Sequence, residues 1–187
     1  MAEKNNQKDL REEIEVPEGM SARIEDNVLI IKKDSEELIR KINAKVATKV
    51  EGNKIILEAK QATKNKKKMF GTMKAHIKNM ITGLSEKFKY KLEVANVHFP
   101  MNVSLDKEAN ILVVKNFLGE RKDRRIKLVD GVEVKIDKNV IEIIGSDIEK
   151  AGQCAANIEK GTKVRNKDRR IFQDGIFIVD KPRRSFS

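Results

Sequence analysis

Apolar and polar residues alternate along the first third of the chain, a pattern typical of half-buried β-strands. Ile24, Val28 and Ile30 flank the turn sequence Asp26-Asn27, which predicts a β-hairpin. A short third strand and a second hairpin around Gly52-Asn53 follow. The third strand is suggested by Leu38, Ile39 and Ile42, and in the second hairpin Val46, Thr48 and Val50 alternate before the apolar run Ile55-Ile56-Leu57.

Beyond the second hairpin the apolar residues are spaced three and four positions apart, as expected for one buried face of an α-helix. The spacing predicts a helix of about five turns, whose apolar positions are Phe70, Met73, Ile77, Met80, Ile81, Leu84 and Phe88. Alternation then returns at Tyr90, Leu92 and Val94, which predict another strand.

The same plan starts again near residue 100. Pro17 and Asn27 recur as Pro100 and Asn110, 83 residues further on in both cases. Strand patterns recur over residues 103–114 and 132–141, and the residues Gly71, Ala75 and Ile77 of the first helix recur 81 residues later. Residues 146–149, Ser-Asp-Ile-Glu, predict a capping box that starts the second helix.

These repeats predict an α+β fold made by tandem duplication of two similar small domains, each an antiparallel β-sheet arrangement packed with one main α-helix. We expect a mobile extension over residues 1–13, a first domain over 14–95, a second over 96–180, and a basic tail over 181–187. Each copy is small enough for a partner to add to its stability.

The excess of positive over negative residues is confined to two segments. The formal net charge is +11, and residues 60–68 contain five cations and no acid, while residues 160–184 contain nine cations and three acids. Those two segments account for the whole excess. A charge pattern of this kind favours an anionic polymer as partner, and nucleic acid is the first candidate.

Several functional classes are disfavoured. Cys154 is the only cysteine, so no intramolecular disulfide can form, and a reducing compartment is expected. His76 and His98 are the only histidines and lack nearby ligand partners, so we expect no metal and no cofactor. No run of apolar residues predicts a signal sequence or a membrane span. No nucleophile and base are paired, which argues against an enzyme.

The candidate RNA contacts are cations near predicted turns and near the C-terminus. The lysine run 66–68 is expected in the loop that enters the first helix, where a phosphate contact is favoured over the alternative of a merely solvated loop. Gly119 favours a left-handed turn. The arginines that follow it could each donate two hydrogen bonds to a phosphate. The candidates are Lys66, Lys67, Lys68, Arg121, Arg124, Arg125, Lys163, Arg165, Lys167, Arg169, Arg170, Lys181, Arg183 and Arg184.

Five blocks, in this order, resemble the ribosomal protein L-six family of the large subunit, in its archaeal and eukaryotic branch. The blocks are 71–80 (GTMKAHIKNM), 97–101 (VHFPM), 116–120 (NFLGE), 145–149 (GSDIE), and 166–176, which opens with Asn166-Lys167-Asp168 and ends with Phe172-Gln173-Asp174-Gly175-Ile176. The resemblance spans roughly residues 16–182 and implies a tandem duplication.

The resemblance also implies a function. Members bind large-subunit rRNA beside neighbouring ribosomal proteins, and the second domain lies near the sarcin–ricin loop, where translational GTPases dock. The chain would then be cytoplasmic, in the large ribosomal subunit, with no catalytic residue. By the same resemblance, Asn116 and Asn166 join the candidate RNA contacts.

Two alternatives remain open at the level of sequence. A free-standing duplex-RNA-binding protein or RNA chaperone would carry the same positive charge. An enzyme acting on nucleic acid would need clustered acidic metal ligands. Asp130, Asp137 and Asp147 do not provide that spacing.

Overall fold

The structure of the chain is a computed structural model that describes residues 9–182 and the short strand Arg184–Ser185. The chain divides into two compact units between Glu86 and Lys87. Each unit contains antiparallel sheets and one long helix, and each has its own hydrophobic core.

The first unit contains six strands followed by one helix. Its strands pair in the orders β1-β6-β5 and β2-β3-β4, all antiparallel. The elements are β1 (Leu10–Glu15), β2 (Met20–Glu25), β3 (Val28–Lys33), β4 (Glu36–Lys41), β5 (Ala47–Glu51), β6 (Lys54–Ala59) and α1 (Lys64–Ser85).

The sequence explains these elements locally. Asp26 and Asn27 both have positive φ, 45° and 64°, as a two-residue hairpin turn between β2 and β3 requires. Thr63 caps α1 by accepting a hydrogen bond from the backbone N–H of Lys66. The helix then buries the face predicted from its period, including Phe70, Met73, Ile77, Met80 and Leu84.

The second unit repeats this plan and extends it. Its sheets have the strand orders β11-β12-β7-β13-β14 and β10-β9-β8. The elements are β7 (Phe88–Ala95), β8 (Asn102–Asp106), β9 (Ile111–Lys115), a 3-10 turn (Phe117–Gly119), β10 (Arg124–Lys127), β11 (Glu133–Asp137), β12 (Val140–Gly145), α2 (Ile148–Gly161), β13 (Gly175–Lys181) and β14 (Arg184–Ser185).

Both units follow one order of elements: a strand, a three-stranded sheet, a hairpin that pairs with the first strand, and a helix. The predicted α+β duplication is therefore confirmed. β1 and β7 occupy equivalent positions, each beside the outer hairpin of its own unit. The second unit adds β13 on the other side of β7. This strand follows the cation-rich residues 163–173.

Two expectations about the domain limits need correction. Residues 10–13 are not an extension, because they belong to β1, which pairs with β6 along its whole length; residues 1–8 lie outside the described residues. The division between the units follows Glu86 rather than residue 95, because β7 pairs with β12 and β13 of the second unit.

Both helices begin at a different residue from the one predicted. α1 starts at Lys64, so the lysine run 66–68 lies in its first turns rather than in a loop, and Phe88 belongs to β7. The N-cap of α2 is Asp147 and not Ser146: the Asp147 carboxylate accepts from the N–H of Glu149 at 2.9 Å.

Candidate nucleic-acid interface

The densest group of exposed cations lies between α2 and β13. We call residues 163–173 the basic segment. It contains neither helix nor strand, and its charged side chains are exposed. None of its five cations forms an ion pair with any residue that the structure describes. They are Lys163, Arg165, Lys167, Arg169 and Arg170.

The basic segment is folded locally despite its lack of regular structure. Val164 is buried in the core of the second unit. The carbonyl of Asp168 accepts from the N–H groups of Ile171 and Phe172 at 3.2 and 2.9 Å, and its carboxylate accepts from the N–H of Arg170 at 2.9 Å. These bonds close a turn that fixes where the two arginines at 169 and 170 leave the backbone.

Asp174 anchors the end of the segment to the loop that follows β7. Its side chain is only 1% exposed, and its carboxylate accepts from the backbone N–H groups of Val97 and His98, both at 2.9 Å. His98 Nδ1 donates to the second carboxylate oxygen at 2.7 Å. Burial raises the pKa of Asp174, but the hydrogen bonds from His98, Phe99 and Val97 outweigh burial and hold the pKa below its ordinary value.

The end of α2 supports the strand that follows the segment. Thr162 is buried, and its hydroxyl donates to the carbonyl of Ile158 while accepting from the N–H of Ile176 at 3.1 Å. The carboxylate of Glu159 accepts from the N–H of Ile178 at 3.4 Å. The helix end thus satisfies two N–H groups of β13, and the basic segment is held between two fixed elements.

Arg124 has a structural role rather than the predicted role of a free RNA donor. Its guanidinium donates to Glu120, to the carbonyl of Gly161 at 3.0 Å and to the carbonyl of Lys163 at 3.1 Å. It also lies 3.8 Å above the centroid of the Phe117 ring. The Arg124 hydrogen bond lowers the pKa of Glu120.

The loop after β9 is shaped by left-handed residues. Asn116 has φ of 58°, and its side-chain amide donates to the carbonyl of Pro100 at 2.9 Å. Gly119, as predicted, has positive φ, 75°. Arg121 in this loop and Arg125 on β10 are exposed, so both can reach a ligand.

The lysine run lies on the N-terminal turns of α1. Lys67 and Lys68 are exposed, whereas Lys66 is partly buried and its ammonium donates to the carbonyl of Lys60 at 2.9 Å. The first turn of α1 contains no acidic residue. The positive end of the helix dipole and the lysines therefore act in the same direction, which makes this end of the first unit attractive to an anion.

The remaining candidates are described in part. Lys181 is the last residue of β13 and is partly buried. Arg184 lies in β14, and Arg183 lies outside the described residues. Asn166 is exposed and has φ of 55°, so it turns the basic segment.

Other chemistry has little support in the described part of the chain. No group of three potential metal ligands occurs among the described residues. Cys154 is buried, and burial raises the pKa of its thiol. Within the same described ranges, no helix is long and apolar enough to cross a membrane. His76, the other histidine, accepts a hydrogen bond from Arg40 at 2.7 Å.

Sequence reasoning missed the residues that hold the cations in place. Asp174 enters the charge balance only as an acid that reduces the positive excess, yet its buried carboxylate fixes the segment. His98 and Thr162 likewise contribute through hydrogen bonds across 76 and 14 residues of sequence. No local pattern identifies such partners. The resemblance blocks that contain His98 and Asp174 were the only available signal.

Comparison with known proteins agrees with this architecture. A family model described as "Ribosomal protein L6" matches twice, over residues 16–87 and 99–175, one match in each half of the chain. The "Large ribosomal subunit protein uL6" of Methanococcus vannielii is 41% identical over 173 residues, 92% of this chain and 94% of the relative. The protein of the same name from Methanobrevibacter smithii is 41% identical over 175 residues, 92% and 96% of the two chains. The chain belongs to the ribosomal protein L6 family.

Proposed function

We propose that this protein is a structural constituent of the large ribosomal subunit that binds large-subunit rRNA, chiefly through the basic segment. The observation that carries the proposal is the set of five exposed cations without an ion pair among the described residues, on a segment fixed by Asp174 and Thr162. Family membership supports the ribosomal assignment and a structural rather than an enzymatic role.

Fixed cations suit a folded RNA. Each Lys or Arg that neutralises a phosphate releases condensed counterions, and this release supplies a large share of the binding free energy. A-form RNA offers mainly phosphates, 2′-hydroxyls and shape, so selectivity comes from the spacing of the donors. A segment held at both ends keeps that spacing without an ordering cost at the moment of binding.

The first unit contributes a second anion-binding surface in this proposal. Lys67 and Lys68 on α1 supply point charges at a helix N-terminus, an arrangement that suits phosphate contact without base reading. Arg121 and Arg125 are exposed and supply further contacts from the second unit. Arg124 does not contact the RNA in this proposal; it donates to the carbonyl of Lys163 and so helps to fix the start of the basic segment.

The finer placement follows the family resemblance. We propose that the second unit and the basic segment lie near the sarcin–ricin loop, in proximity to translational GTPases and beside neighbouring ribosomal proteins of the large subunit. The site of action is then the cytoplasmic large subunit. The names of both relatives, which refer to the large ribosomal subunit, support this setting.

Binding selectivity tests the proposal against the alternative of a free-standing duplex-RNA-binding protein or RNA chaperone. We expect the purified full chain to bind large-subunit rRNA at least about tenfold more tightly than an unrelated duplex RNA, because fixed donors match one shape. The measurement is a filter-binding titration of both RNAs at the same salt concentration. Equal affinity for both RNAs would favour the alternative.

A further inference from the structure

A cavity of about 690 Å³ opens beside the basic segment in the second unit. Its volume falls in the range of pockets that hold small organic ligands. Part of its wall is apolar, formed by residues from β7, β13 and the loops next to them. These residues are Ala95, Val97, Val164, Phe172, Ile176 and Phe177.

Phe177 is the aromatic ring in this wall that a ligand can reach. It lies on β13, and its side chain is 44% exposed, an unusual exposure for a phenyl ring. The ring packs over Gly175, where an added Cβ would lie only 3.0 Å from the ring, so glycine allows this close approach. The ring of Phe172, in contrast, already has neighbours. Its centroid lies 5.1 Å from the centroid of the His98 ring and 4.5 Å from Lys167 Nζ.

Cations stand around the apolar wall. Lys160, Lys163 and Arg169 line the same cavity. Two acids also line it, but the carboxylate of Asp174 is bonded to Val97 and His98, and that of Glu159 accepts from Ile178. With three cations against two acids (3 − 2 = +1), the lining keeps a formal positive charge, and both carboxylates already have N–H partners within the protein.

This combination fits a nucleotide better than a protein side chain. A nucleobase is flat and has an apolar face that stacks on an aromatic ring, and the adjoining phosphates carry negative charge. An apolar side chain of a neighbouring protein would fill the wall but leave the three cations without partners. An acidic side chain would meet the cations but leave the ring exposed.

We propose that the cavity receives one unpaired nucleobase of the bound RNA, stacked on Phe177, with the adjoining phosphates on Lys163 and Arg169. This inference rests on the proposed function, since it names what part of the RNA the basic segment holds. Extruded bases occur in loops and bulges, so the partner is an RNA segment with at least one nucleotide outside a duplex.

Substitution of Phe177 tests the proposal. We expect Phe177→Ala to weaken binding of large-subunit rRNA by about tenfold to a hundredfold, the usual effect of losing one base stack. The dependence of affinity on salt should keep its slope, because no charge is removed. Phe177→Leu should bind as weakly as Phe177→Ala, since leucine offers bulk but no ring.

A matched control is available on the same sheet. Val140 is 38% exposed, and it and Phe177 pair with Glu93 from opposite sides. Val140→Ala removes an exposed apolar side chain outside the cavity and should bind rRNA as the unmodified protein does. Urea denaturation of each variant checks that the fold is retained.

Ultraviolet cross-linking supplies a second measurement that needs no variant. Irradiation of the unmodified protein bound to large-subunit rRNA should attach a nucleotide to the peptide that contains Phe177, as detected by mass spectrometry. Absence of that adduct, while adducts form elsewhere on the chain, would overturn the proposal.

The outcomes separate the two proposals. If the unmodified protein binds large-subunit rRNA and Phe177→Ala binds equally well, the nucleobase site is wrong and the proposed function stands. If Phe177→Leu restores full affinity, the contact is apolar and not a stack, which also overturns the nucleobase site. If the unmodified protein does not bind large-subunit rRNA, the proposed function fails and this inference fails with it.

Discussion

Neutralising the five cations of the basic segment should lower the affinity for large-subunit rRNA by on the order of a hundredfold to a thousandfold at moderate salt. The slope of log affinity against log salt should become shallower by about 0.7 to 0.9 for each phosphate contact that is lost. The five substitutions to glutamine are at Lys163, Arg165, Lys167, Arg169 and Arg170. A salt titration by filter binding measures both quantities.

Two comparison variants separate position from net charge. The first removes five cations that already form surface ion pairs, and these are Arg11, Arg23, Lys54, Lys91 and Lys135. It has the same net charge as the test variant but should lose much less affinity. The second, a substitution of Lys66, Lys67 and Lys68 by glutamine, should produce an intermediate loss. Equal losses in the two five-cation variants would mean that net charge alone attracts the RNA.

Removal of the Asp174 carboxylate should destabilise the second unit by about 2 to 3 kcal/mol, because this buried carboxylate accepts hydrogen bonds from two backbone N–H groups and from the His98 ring. In Asp174→Ala the N–H groups of Val97 and His98 lose their acceptor. The free energy of unfolding, obtained by urea denaturation, measures the effect. Asp174→Asn retains one acceptor oxygen, so its free energy of unfolding should lie between those of the unmodified protein and Asp174→Ala.

The neighbouring carboxylate of Asp168 is the control. It is exposed, and among the described residues it accepts from the N–H of Arg170 alone, in its own turn. Asp168→Ala should therefore cost less than about 1 kcal/mol. A loss at Asp174 no greater than the loss at Asp168 would show that Asp174 does not anchor the segment.

The dependence of stability on pH follows from the direction in which the pKa of Asp174 is shifted. Its folded pKa is lowered, so its contribution to stability is complete above the unfolded value of about 3.9 and is lost as the pH falls through the folded pKa. The stability difference between the unmodified protein and Asp174→Ala should therefore be constant from pH 5 to pH 7. It should shrink only below about pH 4.

The spacing of apolar residues along the chain was sufficient to predict the hairpins and the helices. Each of these elements is stabilised by one apolar face within a short stretch of sequence. The turns at Asp26-Asn27 and Gly52-Asn53 and the buried face of α1 lie where the pattern indicates. Repetition of that pattern then predicted the duplication without knowledge of either sheet order.

The sequence could not reveal pairings that depend on distant partners. Four of the six residues of β1 are charged, so this edge strand looks like a polar extension, yet Ile14 is buried and the backbone pairs with β6. β7 follows α1 directly and looks like the end of the first domain. It pairs instead with β12 and with β13, some 80 residues further along the chain.

The charge pattern identified the candidate interface but not the state of each side chain. It predicted that positive charge is concentrated near the C-terminus, and the basic segment is exposed there. It could not distinguish Arg124, which is bonded to Glu120 and two backbone carbonyls, from Arg125, which is exposed. Lys66 likewise differs from the exposed Lys68, because it is partly buried and its ammonium donates to the carbonyl of Lys60.

Sedimentation with the large ribosomal subunit tests the central claim most directly. A tagged full-length chain, expressed in cells and recovered on a sucrose gradient, should sediment with large subunits and remain with them after a wash at high salt. The variant without the five cations of the basic segment should be found mainly at the top of the gradient. Recovery of the unmodified protein away from large subunits, or equal retention of the two proteins, would contradict the account.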